Sequence, residues 1–92
     1  MTSTTLAASS ATLATVTTGK TWIVKELILC NKSATDQVVT ITFNGKTIFA
    51  DTIKAGKTVV IKLSTVLSAS QIIAGFAGAA SSVDCTISGV EV

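Results

Sequence analysis

The 92-residue chain contains no proline, histidine, arginine or tyrosine. Each absence removes something. Without histidine, the serines and the two cysteines lack the imidazole base that usually activates such nucleophiles, and the commonest transition-metal ligand is missing. A serine–lysine pair has no local signature either, since no Ser-x-x-Lys spacing occurs. The five acids (Glu26, Asp36, Asp51, Asp84 and Glu91) are scattered, so no carboxylate cage for a hard cation is expected. Neither an enzyme nor a bound cofactor or metal follows from this inventory.

Without arginine, and with only one tryptophan and three phenylalanines, the chain lacks the clustered cations and stacking surfaces of a nucleic-acid binder. The net charge of +2 comes from lysines spaced along the chain, mostly near turns. No nucleic-acid partner is expected. Two cysteines, Cys30 and Cys85, are too few for a disulfide framework. Each sits in an apolar strand pattern and reads as a small core side chain.

Long apolar runs are also missing. Residues 63–83 carry no charge, but Ser64, Thr65, Ser68, Ser70, Gln71, Ser81 and Ser82 make them too polar for a membrane span of about 20 residues. Residues 1–18 are uncharged too, yet they have neither the basic start nor the apolar centre of a signal peptide. The expectation is a product of the cytoplasm, with no export address and no membrane partner.

Gly-Lys-Thr occurs at 19–21, 45–47 and 56–58. A phosphate-binding loop needs a glycine five residues earlier, where this chain has Ala14, Thr40 and Asp51. All three triplets read instead as a turn glycine, a solvated lysine and a β-branched strand start.

What the chain does have is β-structure. Trp22 to Asn31 is the longest apolar strand pattern. Its alternation predicts Trp22, Val24, Glu26, Ile28 and Cys30 on one face and Ile23, Lys25, Leu27 and Leu29 on the other. Both faces are largely apolar, so both need cover. One cover is the domain's second sheet; the other is the N-terminal arm or a partner subunit. Gln37 to Phe43 alternates cleanly, with Val39, Ile41 and Phe43 opposed to Val38, Thr40 and Thr42. Asn44-Gly45 then gives a two-residue hairpin turn, with a return strand from Lys46 to about Thr52. Thr58–Leu63 alternates, and 64–68 reads as a connection. Ser70–Phe76 places Ile72, Ala74 and Phe76 on one face. Val83 to about Val90 turns Val83, Cys85 and Ile87 inward, and a weak strand is expected near 11–17. Seven or eight short strands with regular turns predict an all-β fold: one small antiparallel β-sandwich, jelly-roll or Ig-like, over residues 11–92. Residues 1–10, rich in Ser, Thr and Ala, are expected as a flexible or extended N-terminal arm.

Serine and threonine make up 26 of the 92 residues, while charged residues reach only 13% against the usual ~25%. A domain this small has a thin core. Low surface charge and a thin core together point to a building block stabilised by association with copies of itself or with a larger scaffold.

Gly19-Lys20-Thr21-Trp22-Ile23-Val24-Lys25, Leu29-Cys30-Asn31, Asn44-Gly45, Ala55-Gly56-Lys57-Thr58 and the closing Ser88-Gly89-Val90-Glu91 resemble segments of small β-sandwich virion proteins of tailed bacteriophages. The resemblance covers about residues 14–92 and its motifs are structural, not catalytic. It lacks the proline usual before the first turn, where Thr17-Thr18 stand. It implies a virion structural protein, made in the host cytoplasm: a capsid decoration (cement) protein, commonly trimeric, that binds the major capsid protein in many copies and stabilises the shell. Tail, baseplate, fibre or head–tail connector components, and a carbohydrate- or receptor-binding tip domain, are the alternatives. On the decoration reading, contacts are expected from the arm (Leu6, Leu13, Val16) and from an exposed face around Trp22 and Ile23.

Overall fold

The fold grows from its middle. Asn44 and Gly45 both have positive φ, 49° and 79°, the left-handed pair a tight hairpin turn of this kind requires. They join β4 (Gln37–Phe43) to β5 (Lys46–Ile53). The chain doubles back outward from that tip. β3 (Trp22–Asn31) pairs with β6 (Thr58–Leu67), β2 (Ala11–Thr15) with β7 (Ile72–Ala77), and β1 (Thr2–Thr5) with β8 (Val83–Glu91), all antiparallel. These nested pairs alternate between two four-stranded sheets, β1-β8-β3-β6 and β2-β7-β4-β5, with β3–β8 and β4–β7 completing each. The order is that of a jelly roll, which decides between the two sandwich types expected. The computed structural model describes residues 2–92, and among them there is no helix. Met1, the first residue of the expected arm, lies outside the described residues.

The core lies between the sheets. Val39, Ile41 and Phe43 on β4 meet Val83, Cys85 and Ile87 on β8, together with Leu27 and Leu29 of β3. These are the inward sets that the alternation predicts. On β7 the inward residues are Ile73, Gly75 and Ala77, so the expected face of Ile72, Ala74 and Phe76 is the outer one. Gly75 sits under Ile41: a Cβ there would lie 2.6 Å from Ile41 Cδ1 and 2.7 Å from the Thr40 carbonyl oxygen.

Three local expectations need correction. First, the alternation of β3 breaks. Its buried residues are Val24, then Leu27, Leu29 and Asn31, because the register to both neighbours slips between Val24 and Glu26. This β-bulge puts Val24 on the same face as Leu27 and Leu29, and moves Glu26, Ile28 and Cys30 to the face of Ile23. Gly89 permits it: any Cβ at that position would fall on the Ile23 carbonyl. Second, residues 64–67 are not a connection. β6 runs unbroken to Leu67, with Leu63, Thr65 and Leu67 turned in and Ser64 and Val66 turned out. Serine and threonine interrupt the apolar pattern but not the strand, since they occupy half-exposed edge positions. Third, residues 2–5 form strand β1 on β8. Leu6 follows directly, 1% exposed, with its amide donating to the Val83 carbonyl.

Candidate interaction surface

The described residues hold no group of three or more His, Cys, Asp and Glu side chains close enough to share a metal ion. The clearest depression is shallow and open, lined by Ser3, Thr4, Thr5, Asp84 and Thr86. Its polar groups satisfy one another. Ser3 and Thr86 hydroxyls are 3.1 Å apart, Thr5 Oγ1 donates to Asp84 Oδ1 at 2.8 Å, and Lys32 Nζ lies 3.1 Å from the same oxygen. The Thr5 hydrogen bond and the Lys32 ammonium hold the Asp84 carboxyl below its ordinary pKa. A carboxylate kept ionised and already paired is a poor general base. Its hydroxyl lining offers hydrogen bonds but no aromatic ring for a sugar face.

The other notable feature is the outer face of the β1-β8-β3-β6 sheet. Because of the bulge, Ile23, Glu26, Ile28 and Cys30 all point away from the core. Their cross-strand neighbours follow from the ladders. Val90, Ile23 and Val66 form one row across β8, β3 and β6. Ser88, Glu26 and Lys62 form the next, with Lys62 Nζ 3.4 Å from Glu26 Oε2. Thr86, Ile28 and Val60 form the third. Val60, Val66 and Val90 are 50%, 61% and 47% exposed. Two largely apolar rows therefore flank a single solvent-facing ion pair. An exposed apolar patch rimmed by polar groups is the usual mark of an interaction site.

The expected contact residues divide. Leu6 and Val16 are each 1% exposed and belong to the domain's own core, so neither side chain is available to a partner. Leu13 is half-buried and packs against that core. Trp22 and Ile23 do not share a face. Trp22 packs on the core, and its Nε1 donates to Glu91 Oε1 at 3.0 Å. That bond, a second from Thr17 and the nearby Lys20 charge hold the Glu91 carboxyl low. Only Ile23 lies on the outer face, in the centre of the Val90–Ile23–Val66 row. Sequence reasoning missed Val66 and Val90. The alternation of Thr58–Leu63 turns Val60 outward with Thr58 and Lys62, and Val66 has the same parity, three alternations on. The signal was present but was cut off by ending the strand at Leu63.

Cys30 and Cys85 are both free. They sit on adjacent strands with opposite faces: Cys85 is buried and opposite Leu29, while Cys30 is opposite Asp84 and half-buried on the outside. Burial pushes the Cys85 thiol up to about 11.

No family model, curated protein or solved structure matches the chain. The class of protein is therefore defined by fold and surface alone: an eight-stranded jelly roll with an apolar outer sheet face.

Proposed function

We propose that this chain is a structural protein of a phage virion that binds the outside of the capsid in many copies and stabilises it. The observation that carries the proposal is the outer face just described. Val90, Ile23 and Val66 cross three strands, Ile28 and Val60 lie below them, and one ion pair stands between. A rigid sheet presenting such rows can lie flat on another protein and bury them. Burial contributes roughly 25 cal/mol per Å² of apolar surface removed from water. The low charge of the chain supports the same reading, since few desolvated ions oppose docking. The resemblance of the Gly19–Asn31 and Ser88–Glu91 segments to phage virion modules supplies the partner class, the major capsid protein, and a trimer as the favoured oligomer. The fold is compatible, because jelly rolls recur in viral capsid proteins, although they also serve lectins and cupins.

The mechanism is mechanical. Each bound copy bridges neighbouring capsid subunits, so shell rupture must also break its contacts. The test is to mix the purified protein with undecorated shells of the phage that encodes it. Saturable binding and a raised shell melting temperature are expected, and Ile23→Lys should abolish both while leaving the free protein folded. Binding undiminished by Ile23→Lys would remove this face from the account. A six- or twelve-fold ring with no shell binding would favour a tail or connector role.

A further inference from the structure

The chain holds two asparagines, Asn31 and Asn44, and the fold treats them in opposite ways. Asn31 is buried, and its carboxamide donates to the Thr35 and Ile53 carbonyls and accepts from Ser33. The amide that follows it, Lys32 N, donates to the Ser82 carbonyl at 3.0 Å. Asn44 instead stands exposed at the tip of the β4–β5 hairpin, followed by Gly45. Its own amide donates to the Ile72 carbonyl at 2.8 Å, which ties the tip to the start of β7. The peptide between Asn44 and Gly45 is not held in this way. Among the described residues, no backbone group bonds to the Asn44 carbonyl or accepts from the Gly45 amide. The space beside Gly45 is open too, with nothing within 4 Å of the point where a Cβ would stand. An exposed carboxamide and an unbonded, unshielded amide nitrogen are therefore neighbours along the chain.

We propose that Asn44–Gly45 is a self-modification site, where the folded chain converts its own hairpin tip into an aspartyl or isoaspartyl link. The Gly45 nitrogen attacks Asn44 Cγ. The N–Cγ bond forms, the Cγ–Nδ2 bond breaks, and the amide proton leaves with the departing ammonia. The resulting succinimide takes up one water. Hydrolysis at one carbonyl leaves aspartate at position 44, and hydrolysis at the other leaves an isoaspartyl link, in which the main chain runs through Cγ. Nothing is oxidised or reduced, and solvent supplies the only co-reactant. Glycine favours the attack because it has no Cβ to shield the nitrogen. Ring closure also requires the 44–45 peptide to rotate, and no backbone hydrogen bond opposes that rotation. At Asn31 the same closure would have to break the buried bonds of the carboxamide and the Lys32 amide. Either product places a carboxylate beside Lys46 and lowers the net charge from its value of +2. The two differ in what they do to the fold. Asp-Gly suits the same left-handed hairpin turn. The isoaspartyl link adds a carbon to the main chain of a two-residue turn, and loosens the Phe43–Lys46 end of the ladder. β5 has only β4 beside it, so this edge strand bears the change. The inference is independent of the virion reading, because the hairpin belongs to the sheet opposite the Val90–Ile23–Val66 row.

The test is to age the protein in mildly alkaline buffer, with circular dichroism confirming that it stays folded, and to map its peptides by mass spectrometry over time. Asn44 should be lost to aspartyl and isoaspartyl products while Asn31 stays intact. Hydroxylamine, which cleaves succinimides, should split the ageing chain between residues 44 and 45. The purified isoaspartyl form should melt below the fresh protein, whereas Asn44→Asp should melt with it. Conversion of Asn44 only after unfolding in urea would show that the turn blocks the reaction, and would overturn the proposal. Loss of Asn31 at the same rate, or an aspartyl product alone with no hydroxylamine cleavage, would overturn it as well. An isoaspartyl form that melts with the fresh protein would overturn the effect assigned to the hairpin.

Discussion

Asn31 is fully buried, and every hydrogen-bonding site on its side chain is used. Nδ2 donates to the Thr35 and Ile53 carbonyls at 2.9 and 2.8 Å, and Oδ1 accepts from Ser33 N and Oγ at 3.0 and 2.7 Å. One side chain thereby ties the end of β3, the 32–36 loop and the end of β5. Asn31→Leu should cost about 2–4 kcal/mol, because the buried Ile53 carbonyl loses its Nδ2 donor and Ser33 loses the Oδ1 acceptor, readable as a drop in the urea midpoint at constant m. Gly89→Ala should cost about 1–3 kcal/mol by forcing the bulge apart, with local chemical-shift changes at Ile23 and Val24. The thiols should separate chemically: a thiol reagent should modify Cys30 in the folded protein and Cys85 only on denaturation, since burial and a raised pKa both protect the latter. Little of this was visible in the sequence. Asn31 looked like a strand stop because its partners arrive from residues 33, 35 and 53. The bulge was hidden because it depends on a glycine 66 positions away from the carbonyl it admits.

At the scale of elements, legibility followed side-chain size. β4 and β8 carry bulky residues at strict alternation, and their inward sets follow directly from the pattern, whereas the β5 ladder slips and leaves Ile48 and Phe49, adjacent in sequence, both half-buried. The Asn44-Gly45 turn was legible because its backbone geometry demands those residue types. β1 was not legible. Its Thr-Ser-Thr-Thr holds nothing large, and its place comes from backbone pairing with β8 and from Leu6 behind it. The arm expectation treated residues 1–10 as separable from the domain, whereas Leu6 is in the core. Leu6→Ala should therefore destabilise the domain by about 2–5 kcal/mol, lowering the melting temperature by roughly 4–8 °C per kcal/mol. A separable arm would leave the melt unchanged. β6 shows the converse error. Its last turn of sequence is polar, but an edge strand needs only one covered face, and the strand continues to Leu67.

At the scale of the whole molecule, the expected all-β sandwich is the observed architecture, while its nested order was beyond sequence spacing because any of several strand orders satisfies the same alternation. The charge distribution sets a pH dependence. Asp84 and Glu91 both have folded-state pKa values below their ordinary ones, through Thr5 and Lys32 in one case and Trp22, Thr17 and Lys20 in the other. Groups lowered on folding add stability above their unfolded pKa, and that stability is lost as pH falls through the folded value. The melting temperature should thus hold steady near neutrality and fall as pH drops below about 4. Asp84→Asn should start lower and lose less over that range.

The outer face of the β1-β8-β3-β6 sheet is where fold, composition and surface converge, and co-sedimentation with undecorated shells tests it most directly. The purified chain should pellet with shells to a saturating ratio of many copies per shell, and raise the shell melting temperature, with Ile23→Lys losing both effects. A folded wild-type chain that stays in the supernatant at every concentration would contradict the account.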